Sequence, residues 1–113
     1  MALQSHTGVY LPHVELTEGP FERMKGLLGK KHFPADHIMW FRPCTSIHTC
    51  CMQFTIDVVF LSKDLVVTDI RIAVKPWRII VGAQGSHSVL EAQTGWLENK
   101  SLVVGMPFTL PNY

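Results

Sequence analysis

The run T-I-D-V-V-F-L-S-K-D-L-V-V-T-D-I-R-I-A-V, residues 55–74, decides the fold because it holds two strand-like segments around a short polar break. Residues 55–62 and 65–74 are rich in β-branched and aromatic side chains, which favour strands. Lys63-Asp64 separates the two segments, so we expect them to pair as a hairpin. No glycine supplies the usual hairpin turn conformation, and the turn type is therefore left open.

The second of these segments alternates in polarity. Its even-numbered positions, including Ile70 and Ile72, are mostly apolar, while its odd-numbered positions include Asp69 and Arg71. This period of two predicts a strand with one clearly more apolar face. Pro76 marks the end of that strand.

Further strand-like segments flank the hairpin on both sides, and they are residues 9–16, 38–41, 46–52, 77–81, 88–92 and 106–110. Helical signals are few. Thr17 can cap a helix that has Pro20 in its first turn and ends at Gly29, and residues 94–100 allow one or two helical turns. No helical stretch separates the strands of residues 38–81, so a doubly wound sheet is disfavoured. We predict an all-β sandwich or barrel with one N-terminal helix and a short C-terminal helical turn.

Length and composition limit the classes of protein. A chain of 113 residues forms one domain over residues 1–113. Only 17% of its residues are charged and 47% are hydrophobic, so self-association or a partner over an apolar patch is plausible. Ten basic residues balance nine acidic ones, and Lys30-Lys31 is the only tight basic run. Nucleic acid is therefore an unexpected partner.

Location is predicted from the same sequence. No apolar run approaches the roughly 20 residues that cross a bilayer, so we expect no membrane span. The first thirty residues lack the pattern of a secretion signal, which predicts a cytoplasmic protein. Three irregularly spaced cysteines favour reduced thiols over a disulfide framework.

Several motifs together resemble the bacterial and archaeal family called domain of unknown function 192, over most of the chain. These motifs are E-R-M-K-G-L-L at residues 22–28, S-I-H-T at 46–49, Met52, I-D-V-V-F-L at 56–61, K-P-W-R at 75–78 and V-L-E at 89–91. The resemblance implies a β-sandwich of jelly-roll type. It brings no established enzymatic activity and no cofactor.

The chain departs from the pattern of that family at two turns. The family's central hairpin usually turns through Asp-Gly or a similar pair, where this chain has residues 62–65, S-K-D-L. The late Gly-Asp pair of the family appears here as Gly105-Met106. Cys50 and Cys51 stand where bulky apolar or aromatic residues are common, so a cysteine function would be particular to this protein.

A binding site is predicted at one end of the sandwich. The K-P-W-R motif places the ring of Trp77 beside the guanidinium of Arg78, a combination suited to stacking on a sugar or gripping a carboxylate. The family motifs add His48, Thr49 and Asp57 to this candidate ligand-binding set. The function predicted is a non-enzymatic binding or accessory module for a small ligand, a glycan or a protein, with a homo-oligomer as a further possibility.

Asp57 also has a structural interpretation. A carboxylate between apolar neighbours in a strand is solvated, paired with a cation, or bonded to backbone N–H groups. The cations considered are His48, Arg23, Arg71 and Arg78. A structural polar network that includes Arg23 and Asp57 is the favoured interpretation.

The alternative function is an enzyme or a metal site. On a continuous strand, His48 and Cys50 are neighbours on one face, as a thiol nucleophile and its base or two zinc ligands would be. Cys44 would lie about 13 Å from His48 along an extended strand, and a metal needs three or four ligands. No metal ligand is therefore assigned, and the alternative function is a hydrolase-like or thiol enzyme, or a metal-binding protein, centred on His48 and Cys50.

Overall fold

The computed structural model describes residues 3–5, 10–11, 14–17, 38–49, 53–97 and 100–110. Within these ranges the strands are β1 (Leu3–Ser5), β2 (Tyr10–Leu11), β3 (Val14–Thr17), β4 (Ile38–Phe41), β5 (Ser46–His48), β6 (Ile56–Leu61), β7 (Val67–Val74), β8 (Ile79–Val81), β9 (Ser88–Gln93) and β10 (Phe108–Thr109). The described residues contain no helix. The all-β prediction is confirmed at this level.

Three sheets are formed by the described strands, and none of them closes into a barrel. The five-stranded sheet has the order β3-β4-β9-β6-β7, the three-stranded sheet has the order β10-β1-β2, and β5 pairs with β8 in a two-stranded ribbon. β3 and β4 run parallel, whereas the other paired strands run antiparallel. The jelly-roll type stays a prediction.

The predicted helices have different outcomes. Thr17 is the last residue of β3, and the helix expected after it falls on residues 18–37, outside the described residues. In the C-terminal segment, Thr94 to Leu97 form turns instead of the predicted helix, with the Trp96 N–H donating to the Gln93 carbonyl. No helix long and apolar enough to span a membrane is found in the described part of the chain.

The five-stranded sheet is covered on both faces. All six residues of β6 and all four of β4 are buried, which explains why both strands are apolar apart from Asp57. Face one, the face of Trp40 and Leu90, packs against the three-stranded sheet through residues such as Leu3 and Phe108.

Face two, the opposite face of the five-stranded sheet, carries Val58 and Phe60. It packs against the β5–β8 ribbon, which contributes Ile47 and Ile80 to a second hydrophobic cluster. The ribbon therefore has an inner side on face two and an outer side turned away from the core.

The β6–β7 hairpin is confirmed, and its turn is longer than the Lys63-Asp64 pair. The Ser62 N–H donates to the Val66 carbonyl, and the Leu65 N–H donates to the Ser62 carbonyl. Leu65 adopts a positive φ of 66°, the conformation that glycine usually supplies in such turns. The turn is thus built without glycine by placing Leu65 in the left-handed region.

Along β7 the predicted alternation is interrupted by a bulge opposite Asp57. At this point Ile72 and Ala73 together face one residue of β6, and Ala73 has a positive φ of 52°. Ile72, which belongs to the predicted more apolar face, is 68% exposed. The extra residue shifts the alternation by one position.

Candidate functional site

Thr49 and its neighbours extend the β5–β8 ribbon beyond its strands. In the ribbon, Ser46 pairs with Val81 and His48 pairs with Ile79. The Thr49 N–H donates to the Arg78 carbonyl (2.8 Å). The backbone thus carries four of the predicted site residues, His48, Thr49, Trp77 and Arg78, to the same end of the ribbon.

Thr49 is fully buried and anchors this end of the ribbon. Its hydroxyl donates to the Lys75 carbonyl (2.6 Å) and accepts a hydrogen bond from the Arg78 N–H (2.8 Å). Its carbonyl accepts a hydrogen bond from the Trp77 N–H (3.0 Å). The polar groups of Thr49 therefore order the backbone on which Trp77 and Arg78 are presented.

The outer face of the ribbon, defined here by Ser46, His48, Ile79 and Val81, is exposed and largely apolar at β8. Ile79 is 75% exposed and Val81 is 65% exposed, although isoleucine and valine are usually buried. His48 and Ser46 are exposed opposite them on β5. Two aliphatic side chains thus stand next to each other on a two-stranded surface.

Trp77 lies at the end of the outer face, with 65% of the residue exposed. Its φ is 62°, a conformation that costs a bulky residue on the order of 1–2 kcal/mol. The hydrogen bonds between Thr49 and the 77–78 backbone hold this conformation. Lys75 precedes Trp77 in the sequence and Arg78 follows it, and both residues are exposed.

Asp57 lies away from the other four predicted site residues. It projects between Ile56 and Val58, which belong to face two, so alternation puts its side chain on face one. The ribbon that carries His48 and Trp77 covers face two. The structure therefore does not bring Asp57 to the predicted ligand-binding set.

The Asp57 carboxylate accepts three backbone hydrogen bonds and is 2% exposed. Oδ1 accepts from the Ala73 N–H (2.9 Å), while Oδ2 accepts from the N–H groups of Gly95 (3.1 Å) and Leu97 (3.3 Å). The β7 bulge turns the Ala73 N–H toward the carboxylate. These contacts support the structural role, and within the described residues the donors are backbone N–H groups.

Arg71, one of those cations, pairs with another carboxylate. Its Nε and Nη2 donate to Asp69 Oδ1 (3.0 Å) and Oδ2 (3.2 Å), and the Ala83 N–H also donates to Asp69 Oδ2 (3.1 Å). The hydrogen bonds from the Arg71 guanidinium lower the pKa of the Asp69 carboxyl, and the same contact raises the pKa of Arg71. This network ties β7 to the segment that follows β8.

Glu91 is a buried ionisable residue that sequence reasoning used only as part of a motif. It is 0% exposed in β9, and its backbone partners are Met39 and Val58 of the neighbouring strands. Alternation with Leu90 places its side chain on face two. A charged residue inside an otherwise apolar strand was the signal available in the sequence.

Of the residues on which the thiol and metal alternatives depend, only some belong to the described part of the chain. Cys50 and Cys51 lie outside the described residues, as does Arg23 of the predicted network. The Cys44 Sγ contacts the Ser46 carbonyl at 3.0 Å, and the side chain packs against the face-two cluster. Within the described ranges, no three His, Cys, Asp or Glu side chains are grouped to hold a metal ion.

Comparison with solved structures shows the fold. The chain aligns with a protein of unknown function from Novosphingobium aromaticivorans at a TM-score of 0.78 and 19% identity, over 96% of this chain and 82% of the other. A proposed transcription regulator from Sinorhizobium meliloti aligns at a TM-score of 0.77 and 22% identity, over 96% and 89%. At these identities the likeness concerns the fold alone.

Sequence comparison shows the family. The UPF0127 protein PF1050 of Pyrococcus furiosus is 35% identical to this chain, with 81% of each chain covered. The family model DUF192, described as "Uncharacterized ACR, COG1430", matches residues 2–110. The chain therefore belongs to the DUF192 family.

Proposed function

We propose that the protein is a non-enzymatic binding module that engages a protein partner through the outer face of the β5–β8 ribbon and the adjoining Trp77. The observation that carries this proposal is the exposure of three large apolar residues, Trp77, Ile79 and Val81, at alternate positions of one short segment. Exposed apolar residues that are contiguous mark interaction surfaces, whereas isolated ones need no explanation.

The backbone at Trp77 supports the same proposal. Its left-handed conformation is unfavourable and is held by the buried Thr49, and the ring it carries stays mostly exposed. Strained residues that a fold maintains are concentrated at binding and catalytic sites. Hot spots of protein interfaces are enriched in tryptophan, tyrosine and arginine, and Trp77 is followed directly by Arg78.

The chemistry of the surface favours a protein over a glycan. A sugar stacked on Trp77 would place its hydroxyl groups toward Ile79 and Val81, which offer no hydrogen bonds. An extended peptide can instead cover the aliphatic side chains and add main-chain hydrogen bonds along a strand edge. No described strand pairs with β8 on the side away from β5.

The partner segment is accordingly apolar with an acidic residue. Arg78 and Lys75, both exposed near Trp77, would contact that carboxylate at the end of the ribbon. The apolar side chains of the segment would cover Ile79 and Val81.

Selection of peptides from a random library on the immobilised protein tests this function. We expect selected peptides to combine aliphatic or aromatic residues with an acidic residue. Their Kd should rise at least about tenfold for Ile79→Asp, because a carboxylate would be desolvated in place of an apolar contact. Ile79 is 75% exposed, so the variant should fold normally.

Val104→Asp is the matched control. Val104 is 63% exposed, and Met106, two residues later, packs in the cluster on face one, so this variant adds the same charge on the other side of the sheet. It should bind the peptides like the wild type. Peptides that bind Ile79→Asp as tightly as the wild type would overturn the proposal. If analytical ultracentrifugation shows that the wild type is a dimer and that Ile79→Asp, but not Val104→Asp, is a monomer, the partner is a second copy of the chain.

A further inference from the structure

The hydrogen bonds of the β5–β8 ribbon decide which backbone groups of β8 face β5. The Gly82 N–H donates to the Thr45 carbonyl (2.9 Å), and the Thr49 N–H donates to the Arg78 carbonyl (2.8 Å). These bonds lie at the two ends of the ribbon. Residue pairs along two antiparallel strands alternate between bonded and non-bonded, so the bonded residue of β8 between these ends is Ile80.

Ile79 and Val81 direct their N–H and C=O groups away from β5. Each belongs to a non-bonded pair, Ile79 with His48 and Val81 with Ser46. Among the described strands, β5 is the neighbour of β8 on one side, and no strand lies on the other. Both residues are also exposed. Two N–H donors and two C=O acceptors therefore lie along an open strand edge.

The open edge is short because the backbone on either side of it is bonded elsewhere. At one end, the Trp77 N–H donates to the Thr49 carbonyl and the Arg78 N–H donates to the Thr49 hydroxyl. At the other end, the Gly82 N–H is bonded to β5. The open groups thus belong to two residues of β8, which lie about 7 Å apart at roughly 3.3 Å per residue.

We infer that the partner segment adds to β8 as an antiparallel strand, with its main chain bonded to Ile79 and Val81. This inference rests on the proposed protein-binding function and specifies how the partner is held. An extended main chain offers donors and acceptors at the spacing of the open edge. An antiparallel segment satisfies all four groups with two residues that flank a third, whereas a parallel segment needs a longer span. The short edge therefore favours the antiparallel direction.

Antiparallel addition defines the sequence of the partner segment. The two bonded partner residues place their side chains on the outer face beside Ile79 and Val81, so both are apolar. The residue between them points to the opposite side and is not restricted. The next residue lies opposite Arg78, which is exposed and uses one of its five N–H groups on the Trp77 carbonyl (3.4 Å). An acidic residue there pairs with the guanidinium, which gives the order apolar-x-apolar-acidic.

Binding of the synthetic peptide G-S-I-T-V-E-S-G, measured by isothermal titration calorimetry, tests the inference. N-methylation of the isoleucine or valine removes an N–H that faces β8 and should raise the Kd at least about tenfold. N-methylation of the threonine, whose N–H faces away from β8, is the matched control and should change the Kd less than about twofold. The reversed peptide G-S-E-V-T-I-S-G should bind about fivefold more weakly, because its acidic residue lies away from Arg78.

Hydrogen exchange of the protein amides measures the same bonds from the side of β8. In the free protein, the N–H groups of Ile79 and Val81 should exchange faster than that of Ile80, and the peptide should protect both. Val81→Pro removes a donor of the open edge, where proline is tolerated, and should raise the Kd about tenfold. Val81→Ala keeps this N–H and should raise the Kd only about threefold. If Val81→Pro does not fold, the N-methylated peptides still decide.

The outcomes separate this inference from the proposed function. No saturable binding of the peptide, or equal Kd values for its forms N-methylated at valine and at threonine, would overturn strand addition. Equal binding of the reversed peptide would overturn the antiparallel direction. The proposed function fails by a different result, namely library-selected peptides that bind Ile79→Asp like the wild type. Peptides that lose affinity for Ile79→Asp but not on N-methylation would be held by side chains alone, which retains the function and rejects the inference.

Discussion

Replacement of Asp57 by Asn tests the structural role of this buried carboxylate. Both carboxylate oxygens accept backbone hydrogen bonds, Oδ1 from Ala73 and Oδ2 from Gly95 and Leu97. An asparagine offers one oxygen and one NH₂ group. Whichever way the amide is turned, its NH₂ group faces at least one of the three N–H donors, so one or two bonds are lost and the remaining bonds lose their charge assistance.

The size of the effect follows from these contacts. A hydrogen bond to a charged group contributes about 1.5–3 kcal/mol, and a buried donor left without a partner costs a comparable amount. We therefore expect Asp57→Asn to lower the free energy of unfolding by about 3 kcal/mol and the Tm by about 10 °C for a chain of this length.

Urea and thermal unfolding followed by circular dichroism measure this loss. Asp64→Asn is the matched control, since Asp64 is exposed in the hairpin turn and its replacement should change the free energy of unfolding by less than about 0.5 kcal/mol. If Asp57→Asn unfolds within about 0.5 kcal/mol of the wild type, the carboxylate does not hold the β7 bulge and the 94–97 turn as described.

Three further predictions concern other contacts. Thr49→Val should lower the free energy of unfolding by about 2 kcal/mol in urea titrations, whereas Thr49→Ser, which keeps the hydroxyl, should lose much less. Gly82→Ala should destabilise by about 1–3 kcal/mol in the same assay, because the added Cβ would lie 2.6 Å from Cδ1 of the buried Phe60 ring. The pKa of Asp69 is lowered in the folded state by Arg71, so its contribution to stability is present above the unfolded pKa and is lost as the pH falls through the folded pKa. Asp69→Asn should therefore flatten the fall in Tm below about pH 4, and an unchanged acid profile would contradict this assignment.

The strands were predictable where burial is simple. β4 and β6 are buried on both faces and consist largely of apolar residues, which identify them in the sequence. The parallel pairing of β3 with β4 had no local signal. It joins segments whose intervening chain contains the predicted helix, and register between such segments depends on the assembled core.

The local irregularities of the hairpin could not be predicted from the sequence either. Leu65 and Ala73 adopt positive φ values that their side chains disfavour, so residue type gave no indication of the longer turn or of the bulge. Ile72 lies in this bulge and is 68% exposed, although periodicity placed it on the more apolar face of the strand.

The candidate site was predictable in part. The motif at residues 46–49 contains β5 and the motif at 75–78 directly precedes β8, so pairing of these two strands brings His48 and Trp77 to one ribbon. The alternation of β6 turns the Asp57 side chain to face one, away from the ribbon. Its hydrogen-bond donors come from the β7 bulge and the turn after β9, which could not be predicted from the sequence. The exposure of Ile79 and Val81 required the structure, because their residue types predict burial.

The central claim, that the outer face of the β5–β8 ribbon binds a protein partner, is tested most directly by site-specific photocrosslinking in the cells that make the protein. A benzoyl-phenylalanine replaces Ile79 in one variant and Val104 in another, since both positions are exposed and lie on opposite sides of the sheet. We predict one cross-linked species of defined mass for the variant at position 79 and none of that mass for the variant at position 104. No cross-linked species at position 79, or the same species at both positions, would contradict the claim.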